Sequence, residues 1–245
     1  MKLNILLVVL LVSSSFVGVV AADDGPLWDD VEKATTVYYD QTVCEQYQPY
    51  LSLDHVEVSP DGLYCAVYES PDHDTDVIAY WARYPVQFGY TNADSHVGDR
   101  EPIYVHVDDQ TGEIDKVVYS AYHYYAGETS SPQMAEVNGS DYPSLYVFEP
   151  HHHYAPRTFT TGELVDVKPF VSNSNLDASS SQDWVSNGWD VNHDAIVDPW
   201  SISAGDNWWP DDSYDGRLSA VYWGTMQTVY DVTGYDIGGK LGSLF

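Results

Sequence analysis

From Leu63 onward the chain repeats one texture, short runs rich in Val, Ile and Tyr broken by turn formers. Leu63–Tyr68, Val77–Tyr84, Ile103–Asp108, Lys116–Tyr124, Leu145–Phe148 and Leu164–Phe170 read as strands, because β-branched and aromatic side chains suit a pleated, half-buried surface. Pro60-Asp61-Gly62, Asp109-Gln110-Thr111-Gly112 and Thr161-Gly162 punctuate them. Neither a βαβ alternation nor a repeat period is present. Many short strands without crossover helices close most simply as two facing sheets, so the expected fold is mainly β, an antiparallel β-sandwich. In Ile103–Asp108 the alternation sends Ile103, Val105 and Val107 to one side and Tyr104, His106 and Asp108 to the other. Upstream, Asp30–Thr36 reads as a short helix-like stretch.

The texture changes after Ser172. Asn173–Gln182 is a Ser/Asn/Asp linker, 183–217 is dense in Trp, Asp and Gly, and Leu218–Val232 fits an amphipathic helix or two strands equally well. At the other end, Met1-Lys2 precedes a mostly apolar run from Leu3 to Val20, and Val20 and Ala22 stand at −3 and −1 of a cleavage point before Asp23. That is the pattern of a secretory signal, with an uncleaved anchor as the alternative. The expected division is a signal peptide over residues 1–22, a β-sandwich domain over 23–172 and a Trp/Asp-rich C-terminal extension over 173–245 packed on the sandwich. In an exported chain the even pair Cys44 and Cys65 is expected to form a disulfide, worth about 3 kcal/mol through loop closure. Asn138-Gly139-Ser140 is a sequon for N-glycosylation in a turn-rich stretch.

Charge narrows the partners. Asp and Glu number 38 against 9 Lys and Arg, a formal net charge of −29. Such a chain is repelled by a phosphate backbone, which excludes nucleic-acid binding through a basic face. Its aromatic and apolar content is too high for an acidic disordered tail. A dense Asp surface with few Lys suits concentrated salt, which screens self-repulsion. The expected setting is therefore secreted or cell-surface, in a high-salt environment, and dialysis into low salt is expected to unfold the protein. The sequence does not fix the oligomeric state.

The sharpest chemical cluster is Ser95-His96-Val97-Gly98-Asp99-Arg100-Glu101, entering the strand at Ile103. Asp99 and Glu101 fall on one side of an extended chain, and with His96 they can converge on a divalent cation; Asp94 lies close enough in sequence to join. The oxygen donors suit Ca²⁺ or Mg²⁺, and the imidazole widens the choice to Mn²⁺ or Zn²⁺. A second candidate is Asp190, Asn192, Asp194, Ile196 and Asp198, a D-x-N-x-D opening with Ile196 as the carbonyl donor. There Ala195 replaces the turn Gly and Ser201 the bidentate Glu, both against a calcium loop. His151-His152-His153, read as strand, places His151 and His153 on one face; without a third ligand it fits a structural or interface role. Tyr122, Tyr124, Tyr125 and the Trp-rich tail offer either stacking surfaces for sugar rings or core packing. No G-x-S-x-G elbow, Walker loop, G-x-G-x-x-G turn or H-E-x-x-H helix is present, so enzymatic activity is not expected. A metal-assisted hydrolase using Glu101 or Asp99 as base is the remaining enzymatic alternative.

The cluster from Ser95 to Glu101 resembles the heptapeptide G-H-R-H-D-W-E of the necrosis-inducing protein family, with Gly98 in place of the second His and Arg100 in place of the Trp. Tyr80-Trp81-Ala82-Arg83-Tyr84-Pro85 is similar to that family's aromatic strand before the heptapeptide, Val117-Val118-Tyr119-Ser120-Ala121-Tyr122-His123 to its V-x-x-S-A-H strand, and Gln48-Pro49-Tyr50-Leu51 to its early Lys-Pro-x-Leu stretch. The resemblance spans roughly residues 44–155. It implies a β-sandwich that holds a divalent cation in an acidic cavity and binds a cell-surface glycan or glycolipid head group. It implies His96, Asp99 and Glu101 as metal ligands, with His123 or Tyr122 lining the cavity. Where the family carries a further Asp, the position falls near Gln87 here, so one ligand is missing unless Asp94 replaces it. The alternative reading is a structural component of a cell envelope or a virus particle.

Overall fold

The structure is a computed structural model, described here over residues 31–89, 95–121, 125–170 and 193–208. In chain order the elements are β1 (Thr36–Tyr38), α1 (Gln41–Gln46), β2 (Tyr50–Ser52), β3 (Gly62–Glu69), β4 (Thr75–Gln87), β5 (His96–Asp108), β6 (Ile114–Ala121), β7 (Tyr125–Thr129), β8 (Met134–Val137), β9 (Ser140–Phe148), β10 (His153–Pro156), β11 (Glu163–Leu164), β12 (Val167–Pro169) and α2 (His193–Val197). No helix among the described residues is long and apolar enough to cross a membrane.

The strands form a seven-stranded sheet in the order β1-β3-β4-β5-β6-β7, with β12 also on β3, and a five-stranded sheet in the order β10-β9-β2-β11, with β8 also on β9. The expected mainly β, antiparallel architecture is present, with two short parallel pairings added, β12 on β3 and β2 on β9. The two sheets share one core. Leu63, Cys65 and Val67 of β3, Ile78, Tyr80, Ala82 and Tyr84 of β4, and Ile103, Val105 and Val107 of β5 pack with Leu51, Leu145, Val147 and Tyr154 of the smaller sheet. The alternation read from Ile103 to Asp108 is thus the real one, with the aliphatic side facing inward.

The opposite face of the larger sheet is also buried. Tyr68, Val77, Ala79, Trp81, Tyr104 and Val118 pack there against Phe170 and against Ala195, Ile196, Ile202 and Trp208. Residues 193–208 therefore lie as a strap across this outer face. Its end runs along the sheet edge, where the Ala126 amide donates to the Asp206 carbonyl (2.8 Å) and the Gly205 amide to the Ala126 carbonyl (2.9 Å).

Near the N-terminus the helix-like reading of Asp30–Thr36 is corrected. Thr36-Val37-Tyr38 joins the larger sheet as β1, as β-branched and aromatic residues favour, and the helix starts only at Gln41. Asp40 sets that start by accepting the Thr42 and Val43 amides at 2.8 and 3.1 Å. The helix carries Cys44, which forms the expected disulfide with Cys65 of β3. Both cysteines are fully buried, and the Tyr80 hydroxyl donates to the Cys44 carbonyl at 2.8 Å.

Candidate functional site

The site is built at the end of the inward-facing row of β5. In the β4–β5 ladder Ile103 lies opposite Tyr80, Glu101 opposite Ala82 and Asp99 opposite Tyr84. Period-two alternation therefore continues the apolar row Val105, Ile103 into Glu101 and Asp99, delivering two carboxylates to the rim of the sandwich interior. Both are buried, at 2% and 6% exposure.

The third participant comes from the other sheet. His151 and His152 form the turn between β9 and β10, and His152 takes the left-handed backbone conformation at φ 55°. This turns its imidazole onto Asp99, where Nδ1 donates to Oδ2 at 2.7 Å. The ring lies flat on Tyr84, with centroids 3.9 Å apart and planes 1° apart. The Tyr84 hydroxyl meets that of Tyr154 at 3.4 Å, tying β4 to β10 behind the pair. Asp99 is thereby fixed in place by an imidazole that is itself clamped by an aromatic ring.

Glu101 is braced by no imidazole among the described residues and has only Ser120 beside it, which weakly opposes its upward shift. Its Oε2 is buried without a hydrogen-bond partner among the described residues. Burial, and then the neighbouring Asp99 charge, push the Glu101 carboxyl well above the usual carboxylate range. The same burial, helped by both carboxylates, holds the Tyr84 and Tyr154 hydroxyls far above their ordinary values. The site is thus a buried pair of acids in which the surroundings favour the protonated form of Glu101.

Carboxylate oxygens are the donor chemistry a hard divalent ion takes. Two carboxylates share one face, one of them offers an oxygen with nothing bonded to it, and no basic side chain is paired with Glu101 among the described residues. Asp99 and Glu101 would hold such an ion, with one Asp99 oxygen already committed to His152. No group of three or more His, Cys, Asp or Glu side chains converges on a metal position among the described residues. The side chain of His96, and all of Asp94, Tyr122 and His123, lie outside those residues. The backbone of His96 is paired opposite Gln87, which is itself buried.

Two other expectations take a different shape. The histidine triplet is not a continuous strand, because β10 begins only at His153, directly after the turn that carries the cis Glu149–Pro150 bond. It is His152, expected to point away, that reaches the carboxylates, while His153 stacks on Phe148 at 5.1 Å. In the second candidate loop, Asp190 and Asn192 lie outside the described residues. Asp194 and Ile196 sit in α2, and Asp198 closes it through its amide to the Asp194 carbonyl at 2.9 Å. Ile196 is buried in the outer core, Asp194 is exposed, and Asp198 Oδ1 accepts the Trp200 amide at 3.2 Å. The sequon fares simply: Asn138 and Gly139, at φ 55° and 86°, form the two-residue turn between β8 and β9, and both are exposed with Ser140.

No family model matches the chain, and no curated protein matches it. Among solved structures it is similar to the crystal structure of Necrosis and Ethylene inducing Protein 2 from the causal agent of cocoa's witches' broom disease, at 16% identity over 65% of this chain and 86% of that one, with a TM-score of 0.45. It is similar to NLPPya in complex with mannosamine at 14% identity over 57% and 77% of the two chains, TM-score 0.42. It is also similar to a structure described as a toxin fold for microbial attack and plant defense, at 14% identity over 60% and 79%, TM-score 0.44.

Proposed function

We propose that this protein is an exported, salt-adapted β-sandwich that takes a divalent cation between Asp99 and Glu101 and uses it to hold a surface glycan or glycolipid head group. The observation that carries the reading is the buried carboxylate pair, with Asp99 braced by His152 and Glu101 Oε2 left without a partner among the described residues. Ca²⁺, Mg²⁺ or Mn²⁺ would supply the positive charge this acidic interior lacks and give vicinal sugar hydroxyls or an anionic group a point of attachment. With a net charge of −29, the chain would otherwise repel an anionic head group. The residues' own parts are distinct. Glu101, its proton released to solvent, would supply one oxygen and Asp99 a fixed second one, while His152 and Tyr84 keep Asp99 in register. The N-terminal apolar run and the Asp-rich composition support export into strong salt.

Calorimetric titration of the full chain with Ca²⁺, Mg²⁺ and Mn²⁺, against Asp99→Ala in the same salt, tests the cation. Binding by the parent chain and a loss in the variant are expected; equal binding by both would remove the site. Glucosamine or mannosamine titrated with and without chelator then tests the sugar, which is expected to bind only with the ion in place.

A further inference from the structure

On β5 itself, but on the opposite face of the sheet from the carboxylate pair, lies another buried titratable group. His106 of β5 points away from the sandwich interior, is 1% exposed, and its Nε2 is buried without a hydrogen-bond partner among the described residues. Its ladder neighbours are Val77 of β4 and Lys116 of β6, and the ladder is irregular just after it, between His106 and Val107. Val77 and the adjacent Tyr104 belong to the cluster that packs under Ala195, Ile196, Ile202 and Trp208 of the strap.

The strap is pinned over this face at three points. The Tyr104 hydroxyl donates to the Ala195 carbonyl at 2.7 Å. Trp200 Nε1 donates to the Thr75 carbonyl at 2.9 Å, and the indole lies flat on His73, with centroids 4.2 Å apart and planes 9° apart. Trp208 is fully buried edge-on against Tyr104 at 4.9 Å. Burial of His106 among these neighbours of the strap favours an uncharged ring, because its Nε2 has no hydrogen-bond partner among the described residues.

We propose that residues 193–208 form an acid-released strap, which protonation of His106 lifts from the outer face of the larger sheet while the two-sheet core stays closed. The surroundings of His106 favour this on every side. From β6, Lys116 faces it, its charge partly spent on Glu128 of β7 at 3.2 Å. From the turn before β4 comes His73, and from β3 the neutral Tyr68, edge-on to Trp200 at 6.5 Å. On its own strand, Asp108 points to the same side, but its Oδ1 is engaged by the Gln110 and Thr111 amides at 3.1 and 2.7 Å. On the strap, Asp198 Oδ1 is engaged by the Trp200 amide. Burial first, then Lys116 and His73, lower the His106 pKa from 6.5 to about 3. A base whose folded pKa is lowered contributes stability above its unfolded value and loses it as pH falls through that value toward the folded one. The window for release is therefore from 6.5 down to about 3. Release bares Tyr68, Val77, Ala79, Trp81 and Val118, an apolar sheet surface that is covered at neutral pH.

Hydrogen exchange read by mass spectrometry on the full chain, in constant salt and corrected for intrinsic rates, tests this. If opening restores the ordinary pKa, the strap's opening constant rises about thirty-fold between about pH 7.5 and about pH 5, while β9 keeps its protection. His106→Leu is expected to flatten that response, and His106→Gln, neutral at every pH, does the same if Leu disturbs packing. Strap protection that does not change with pH, a loss of β9 protection at the same pH, or release of either variant as in the parent would each overturn the proposal.

Discussion

The two faces of the larger sheet are made by the same strands and end in opposite chemistry. On β5, Ile103 and Val105 face the sandwich interior and lead into Glu101 and Asp99, whereas Tyr104 faces the strap and leads into His106. Burial drives both ends toward the neutral form, but neutrality means different things. At the inner end, burial and the Asp99 charge favour the protonated, neutral form of Glu101, the proton a bound cation would have to displace under the proposed function. The base at the outer end loses its proton, so it stays silent until acid arrives. One sheet thus carries a buried acid pair on one side and a buried imidazole on the other, and burial moves their protons in opposite directions.

The sharpest way to break that contrast is at Glu101. Glu101→Gln removes a ligand and a proton together, and cation affinity should fall about a thousandfold, the cost of taking one charged partner from a buried set. Stability should move the other way. A carboxyl whose folded pKa is raised contributes stability below the ordinary carboxylate range and loses it as pH rises toward the folded value. Without cation, the variant should therefore melt higher than the parent at neutral pH and match it at about pH 4, as scanning calorimetry at both pH values would read. On the outer face the largest expected loss comes from Trp208→Ala, on the order of 4 kcal/mol in denaturant unfolding, because Trp208 is fully buried against Trp81 and Tyr104. Cation titration of that variant at neutral pH should be unchanged. A cation affinity that falls with Trp208 would mean the two faces are coupled through β4 and β5.

The contrast also separates what could be read in the sequence from what could not. Period-two alternation in Ile103–Asp108 assigns both faces of β5 correctly, and carrying it back four residues puts Asp99 and Glu101 on the inner side. Local chemistry suffices there, since strand periodicity is a property of the backbone. His152 was visible only as the middle of a triplet, and strand periodicity pointed it the wrong way. Its direction is set by a left-handed turn residue, and its partner is 53 positions away. Nothing in the sequence around Asp99 announces that distance. The strap shows the same limit: its Trp and Asp density was legible, but residues 193–208 find their place only because Tyr68, Val77 and Trp81 leave an apolar outer face that must be covered. Asp30–Thr36 failed for a local reason, the β preference of Thr36-Val37-Tyr38 outweighing a weak helical pattern.

The smallest effect worth measuring concerns the brace rather than the ligands. His152 touches Asp99 and Tyr84, and its backbone sits at φ 55°, which Asn tolerates far better than Ala. His152→Asn therefore keeps the turn while removing the flat contact with Tyr84 and lengthening the reach to Asp99. Cation affinity should fall about tenfold, or about 1.4 kcal/mol, in the range found when a group that orients a metal ligand is lost. Without cation, stability should fall by about 1–3 kcal/mol, from the loss of a buried hydrogen bond. His152→Ala should lose the same affinity and, in addition, about 1 kcal/mol of stability from a side chain that resists the left-handed region. Calorimetric titration and denaturant unfolding of the two variants side by side separate these contributions. If His152→Asn binds cation as tightly as the parent, Asp99 needs no brace, and burial alone distinguishes the inner rim from the outer cover.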